Sequence, residues 1–317
     1  MASGGRDSIC DTCRRIDFQD LLQNPRQAEF LWVTGETSPH TMRYSDGCKL
    51  CSLMFKYVPL GENTLELRSY SFKKMSRWRW EIDPNACDIV LLRISQERIG
   101  GSSNYYLLDD VFCKLASDGP PHSYCAQPVE GIWDCVKARL WLDTCTRCHG
   151  SVCEQELIRI PGMNLIDCED MVVVEAAQEM RWLALSYVWG ANCQTEDHAG
   201  YRAGSSISLD IPRTVADAIS VTLQLGYRYL WVDEYCIDQN DENHRDDQIK
   251  RMDRIYHGAD LTIVAAAGEN KNHGLPGVGS TKRGNRKVVC VGDVVVFSNG
   301  PDPYEEAKNS PWFTRAW

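Results

Sequence analysis

The chain has 317 residues, a formal net charge of −10 and a sequence pI near 5.2. That acidic balance argues against a broad nucleic-acid surface, because phosphate binding needs a cationic field, but it leaves room for a small polyanionic ligand in a local pocket. With 43% hydrophobic and 25% charged residues, the composition is that of a globular protein large enough for two domains.

No apolar run approaches the roughly 18–20 residues that span a bilayer, and "MASGGRDSIC" has no apolar signal core. We therefore expect no membrane span and a cytoplasmic location. Fifteen cysteines in a reducing compartment are then thiols or metal ligands, and their odd number suits no fully paired disulfide framework. Eleven of them precede residue 160. The composition shifts there, so we expect a Cys-rich α+β region over residues 1–160 and an α/β domain over 161–317.

In the first region, "FQDLLQ" and "CKLCSLMFKYV" have helical spacing, and "NTLELRSYSF", "CDIVLLRI" and "NYYLLDDVF" read as strands. "IWDCVKARLWLDTCTRCHGSVC" reads as a helix with Ile132, Val136, Leu140 and Trp141 on one side. In the second region, "NLIDC" and "MVVVEA" form a hairpin through Glu169-Asp170. "WLALSYVWG" is a strand buried on both faces. "IPRTVADAISVTLQLG" is a helix with Val215, Ala218, Ile219 and Thr222 inward and Gly226 as its stop. "YRYLWVD" is a second buried strand. "NDENHRDDQIKRMDRIYHGA" is one helix with Ile249, Met252, Ile255 and Tyr256 on one face. "DLTIVAAAG" is a third buried strand, and "KVVCVGDVVVF" is a hairpin turning at Gly292-Asp293.

Strands alternating with helices over short links imply right-handed crossovers and a parallel sheet. Ligands of such sheets sit beyond the strands' carboxyl ends. The loops "YVWGANCQTE", "VDEYCIDQND" and "AAAGENKNHG" all fall there.

Several residues carry candidate chemistry. Cys10, Cys13, Cys48 and Cys51 form two knuckle-spaced pairs, and tetrahedral zinc takes four such donors. The plainer reading, four buried thiols packed as small apolar groups, is the weaker one. His40 is a spare ligand. Cys145, His149 and Cys153 recur at four-residue steps on one helix face, with Cys148 about 60° away. A buried helix seam with a capped His is the better reading there. Asp233 and Glu234 either do general acid–base work, since a half-desolvated carboxylate at a strand end titrates closer to neutrality, or are structural, with Asp233 capping the turn. Asp238 is more simply a turn residue, and Cys236 a buried thiol. "GLPGVG" lacks the Lys-Ser/Thr ending of a phosphate loop and reads as a turn.

"LALSYVWG", "IPRTVADAI", "LGYRYLWVDEYCIDQND", "QIKRMDRIYHGADLTIVAAAG", "GLPGV" and "SPWFTRAW" together resemble the fungal heterokaryon-incompatibility (HET) domain. The upstream "CDTC…GCKLC" pattern and the Trp141–Cys145–His149–Cys153 stretch look like the leader that often precedes it. The resemblance implies a role in fungal non-self recognition and regulated cell death, and a distant similarity to Toll/interleukin-1 receptor (TIR) domains. TIR domains have a flavodoxin-like parallel sheet flanked by helices, and many cleave NAD with a catalytic glutamate. "SPWFTRAW" is similar to the stretch that carries that glutamate, but Ala316 stands in its place.

Two functions follow from the resemblance. In the first, an NAD-consuming enzyme, Glu234 and Asp233 supply the carboxylates. Tyr187, Trp189, Gly190 and Arg315 contact the dinucleotide. In the second, a non-catalytic signalling module works by self-association or by binding a second incompatibility protein.

Overall fold

The computed structural model describes residues 8–19, 31–33, 45–54, 65–71, 90–96, 106–115, 128–149, 153, 158–190, 200–284, 287–298 and 303–314. The chain divides into two units. One comprises residues 1–129 and 285–300, the other 130–284 and 301–317. The change at residue 160 seen in the sequence is therefore not where the contacts divide. The long Cys-bearing helix goes with the second unit, and the late hairpin goes back to the first.

The first unit contains the short helix α1 (Asp11–Arg14), β1 (Leu31–Val33), α2 (Lys49–Met54), β2 (Leu65–Ser71), β3 (Val90–Gln96) and β4 (Tyr106–Leu115). Its hairpin is β10 (Val288–Val291) and β11 (Val294–Ser298), turning through Gly292 at φ 59°. These strands make one antiparallel sheet in the order β1-β2-β3-β4-β11-β10. The hairpin forms at the expected turn, but β11 pairs with β4, from Val294 opposite Leu115 to Ser298 opposite Val111. Val289, Val294, Val296 and Phe297 are buried, as strands inside a sheet with an apolar face require. Strands near 65–71, 90–96 and 106–115 and a helix at 49–54 agree with the sequence reading. Most of "FQDLLQ" and His40 lie outside the described residues.

The second unit contains α3 (Cys135–Cys148), the hairpin β5 (Asn164–Asp167) and β6 (Val172–Glu175), then β7 (Trp182–Tyr187), α4 (Arg213–Gln224), β8 (Tyr229–Trp231), α5 (Asp233–Cys236), α6 (Glu242–Ile249), α7 (Met252–Gly258), β9 (Leu261–Ala265) and α8 (Pro303–Lys308). Its sheet runs β6-β5-β8-β7-β9. Only β7 pairs in parallel, with β8 on one side and β9 on the other. The parallel-sheet expectation thus becomes a mixed sheet. A two-strand hairpin with a short turn has to be antiparallel, and β5 docks antiparallel on β8.

All six residues of β7 are buried, as an apolar run with no polar face requires. Helix α4 packs Val215, Ala218, Ile219 and Thr222 inward as expected, and Gly226 at φ 88° ends it. The single helix expected over 240–259 is instead broken. Lys250 closes α6, and Arg251 precedes α7. Residues 242–249 hold no apolar stripe to carry a helix onward. Gln248 and Arg251 both donate to the carbonyl of Pro161, at 3.0 and 3.1 Å, which fixes the break. Ile255 is buried, whereas Ile249 is exposed. Strand β9 is an edge with Val264 exposed, not the fully buried strand its composition promised. Helix α3 packs through a different side from the one that carries Val136 and Trp141. Ala138 is buried and Leu142 packs on the core, while Ile132, Val136 and Trp141 face outward.

Two polar clamps hold the connections. Arg228 makes charged hydrogen bonds with Asp167 at 2.7 Å and Asp170 at 2.7 Å across the β5–β6 turn. The carboxylate of Asp217, on α4, accepts from the backbone N–H of Leu275 at 2.8 Å and from the Thr281 hydroxyl at 3.3 Å. "GLPGV" is a turn, as the sequence indicated, and these bonds dock it on α4. A Cβ at Gly274 (φ 87°) would strike Thr281, Asp217 and Arg213.

Removing the Asp217 acceptor leaves a buried N–H unmet. Asp217→Ala should cost about 1–3 kcal/mol in urea unfolding, and an unchanged midpoint would remove this role. Burial alone would raise the Asp167 carboxyl, but Arg228 and the turn amides hold it below its ordinary value of 3.8. A depressed folded-state value adds stability above the unfolded value, which is lost as pH falls through the folded one. Acid unfolding of Arg228→Ala should therefore begin at higher pH than that of wild type.

Candidate functional site

The opening of the site is set by β7 and β8, whose carboxyl ends lie side by side. From them run Val188, Trp189 and Gly190 on one strand and Asp233 and Glu234 on the other. All eight residues from Trp231 to Asp238 are buried.

The two carboxylates face different partners. Glu234 accepts from the Tyr187 hydroxyl at 2.6 Å and from the Lys271 ammonium at 2.9 Å. The Lys271 and Glu234 side chains are only 10% and 9% exposed, so this is a buried ion pair. Burial beside two acids pushes the Tyr187 phenol well above its ordinary value, so it stays a donor. The Asp233 carboxylate accepts from the Trp189 indole at 3.0 Å and from the Glu234 backbone N–H at 2.8 Å. The Gln239 amide donates to the Asp233 carbonyl at 3.3 Å.

Gly190 sits at φ 100°, and a Cβ there would come within 2.7 Å of the Asn270 side chain. Its place is a close approach of two loops, which Lys271 continues by donating its N–H to the Trp189 carbonyl. Asp238 accepts from Asn240 N–H at 3.0 Å, the Asx turn expected of it. Cys236 is fully buried, and burial pushes its thiol up to about 12, so it stays an unreactive S–H.

A cleft of about 710 Å³ opens beside these strand ends. Val188, Trp189, Asp233, Gln239, Arg245 and Tyr256 are among its walls. Glu234 and Tyr187 do not line it. The structure thus brings Asp233, Glu234, Tyr187, Trp189 and Gly190 together but divides them into cleft wall and buried support. Arg315 and Ala316 lie outside the described residues. Sequence reasoning missed Lys271, Gln239, Arg245 and Tyr256. Lys271 was one polar residue in a loop already placed at this edge, with no spacing signal to mark it. In "SPWFTRAW", Trp312 reaches β7 and donates to the Ser186 hydroxyl at 2.8 Å.

In the other unit, the four sulfurs of Cys10, Cys13, Cys48 and Cys51 come together, all within 4.8 Å of one another. Three of the S···S distances are 3.4, 3.7 and 3.8 Å. A tetrahedron with Zn–S of about 2.3 Å has edges of about 3.8 Å. The backbone N–H groups of Cys10 and Cys51 point at the Cys48 sulfur, at 3.3 and 3.4 Å. Hydrogen bonding from Cys13 holds the Cys51 thiol below its ordinary value. This quartet can hold a metal ion, and its donor set is that of a closed structural site.

Residues 182–317 match the heterokaryon incompatibility protein (HET) family. The match spans less than half of the chain and takes in β7, the Asp233–Glu234 turn and the Lys271 loop. Over 93 residues the chain is 29% identical to heterokaryon incompatibility protein 6, OR allele, of Neurospora crassa. That alignment covers 26% of this chain and 14% of the relative's length. No solved structure matches the chain. Among the described residues, no helix is long and apolar enough to cross a membrane.

Breaking the ion pair of the HET region on one side strands a buried charge. Lys271→Met should cost about 3–5 kcal/mol, and the double variant Lys271→Met/Glu234→Leu should recover much of it. Equal, additive losses in a double-mutant cycle would show that the two side chains do not act as a pair.

Proposed function

We propose that the chain is a cytoplasmic fungal non-self recognition module whose HET region binds a nucleotide of the NAD class. The observation that carries this reading is the cleft at the carboxyl ends of β7 and β8. It offers Trp189 and Tyr256 as ring faces, Arg245 and Lys250 as cations for phosphate, and Asp233 and Gln239 as polar groups for hydroxyls. The order β8-β7-β9, with the first parallel strand between the second and third, is that of the flavodoxin class. It supports the TIR-like assignment and a ligand at the switch of strand order.

In the catalytic form of this reading, the bond between ribose C1′ and the nicotinamide nitrogen breaks. The electron pair leaves with nicotinamide, and a carboxylate stabilises the oxocarbenium-like centre until water adds and gives up its proton. Asp233 lines the cleft and is the better placed carboxylate. Glu234 becomes a positioning residue, because Tyr187 and Lys271 engage its two oxygens.

The Cys10, Cys13, Cys48 and Cys51 quartet holds structural zinc in this reading. A second reading, a non-catalytic module acting by self-association or by binding another incompatibility protein, draws support from that engagement of Glu234.

Pure protein incubated with NAD should release nicotinamide, and Asp233→Asn should slow release by about 10²-fold or more while the folded state persists. Trp189→Ala should weaken nucleotide binding. If wild type shows neither binding nor release, the nucleotide reading is overturned. Binding without release would favour the signalling module.

A further inference from the structure

Cys145, His149 and Cys153 do not form the buried seam that their spacing led us to expect. Helix α3 ends at Cys148, and His149 is its C-cap. Cys153 lies beyond the helix, yet its sulfur stands 3.4 Å from His149 Nδ1. The three donor atoms all lie within 4.8 Å of one another. Burial does not explain this gathering. Cys145 and Cys153 are half-buried and His149 is exposed, unlike Cys168 and Cys236, which the core collects.

The helix explains half of the arrangement. Ala138, Leu142, Cys145 and His149 follow one another at three- and four-residue steps along one face, so packing Ala138 and Leu142 on the core aims Cys145 and His149 at one place. Cys153 is brought there by the chain after the helix.

We propose that Cys145, His149 and Cys153 form a second metal site, distinct from the four-sulfur cluster, that takes Zn²⁺ or another thiophilic divalent ion. Two thiolates and one imidazole are a donor set for such an ion. A tetrahedral centre with ordinary Zn–S and Zn–N lengths puts a sulfur and a nitrogen about 3.5 Å apart, close to the observed 3.4 Å. The carboxyl end of α3 adds the negative end of the helix dipole, which favours a cation. Binding releases two thiol protons and leaves the charge of the ion balanced by two thiolates. Among the described residues these three donors converge. The quartet is closed and mostly buried. The second site is more exposed and exchanges faster.

The full chain, purified reduced and loaded with Zn²⁺ or Co²⁺ alone, tests the inference by metal stoichiometry. Wild type should hold two equivalents. One should leave quickly to a chelator and one slowly. Cys145→Ser/His149→Ala/Cys153→Ser should lose the fast equivalent and keep the slow one. Cys10→Ser/Cys13→Ser should do the reverse, so failure of the quartet reading and failure of this one leave different equivalents behind. Cys148→Ser should change neither, and a loss there would overturn the three-donor assignment. An unchanged stoichiometry in the triple variant, or a Cys145–Cys153 disulfide in a chain that binds no fast equivalent after reduction, would overturn the site. His149→Cys, with Cys145 and Cys153 intact, keeps three donors and should retain the fast equivalent, whereas His149→Ala should lose it, which separates ligand loss from misfolding.

Discussion

The carboxylate of Glu234 sits out of water at the end of β8, between the Tyr187 phenol at 2.6 Å and the Lys271 ammonium at 2.9 Å. A lone charge at this depth would be expelled or neutralised. Each partner therefore has to stay where it is for the others to remain buried. Three separate stretches of chain meet in this one contact: the end of β7, the turn after β8 and the loop after β9. The loop approach at Gly190, the Trp189–Asp233 hydrogen bond and the cleft wall all follow from that meeting. A buried ion pair of this kind adds little net stability against an apolar substitute, but it is costly to half-break. Its value here is geometric: it fixes the register of the three loops.

The same contact divides labour between neighbouring acids. Asp233 and Glu234 are adjacent in sequence and both buried, yet only Asp233 lines the cleft. The short helical turn over Asp233–Cys236 points successive side chains about 100° apart, so two adjacent carboxylates cannot share one face. Asp233 is the acid that faces the cleft, and Glu234 ties the loops together behind it.

The two cysteine clusters show a similar division. The first gathers four sulfurs from two helical turns and is mostly buried. The second gathers two sulfurs and an imidazole at one helix end, and its histidine is exposed. Donor number and exposure set how tightly an ion is held, so one cluster suits a structural ion and the other an exchangeable one.

Much of this was legible in the sequence. The unbroken apolar run of β7 can only be a strand buried on both faces. The 3.6-residue pattern of α4 determined its buried side, and knuckle spacing marked the Cys10–Cys51 quartet. These are local signals, set by backbone period and ligand geometry. What only the tertiary structure decided depends on partners far apart in the chain. The pairing of β11 with β4 answers to an open strand edge nearly two hundred residues away in sequence. The break between α6 and α7 answers to the Pro161 carbonyl, and the outward rotation of Trp141 answers to where Ala138 and Leu142 find a core. Glu234 could be nominated from its neighbours, but its role was decided by Lys271, a residue with no motif around it. Periodicity reports what each segment buries. It does not report which distant charge that segment will meet, and that charge determines what a buried carboxylate can do.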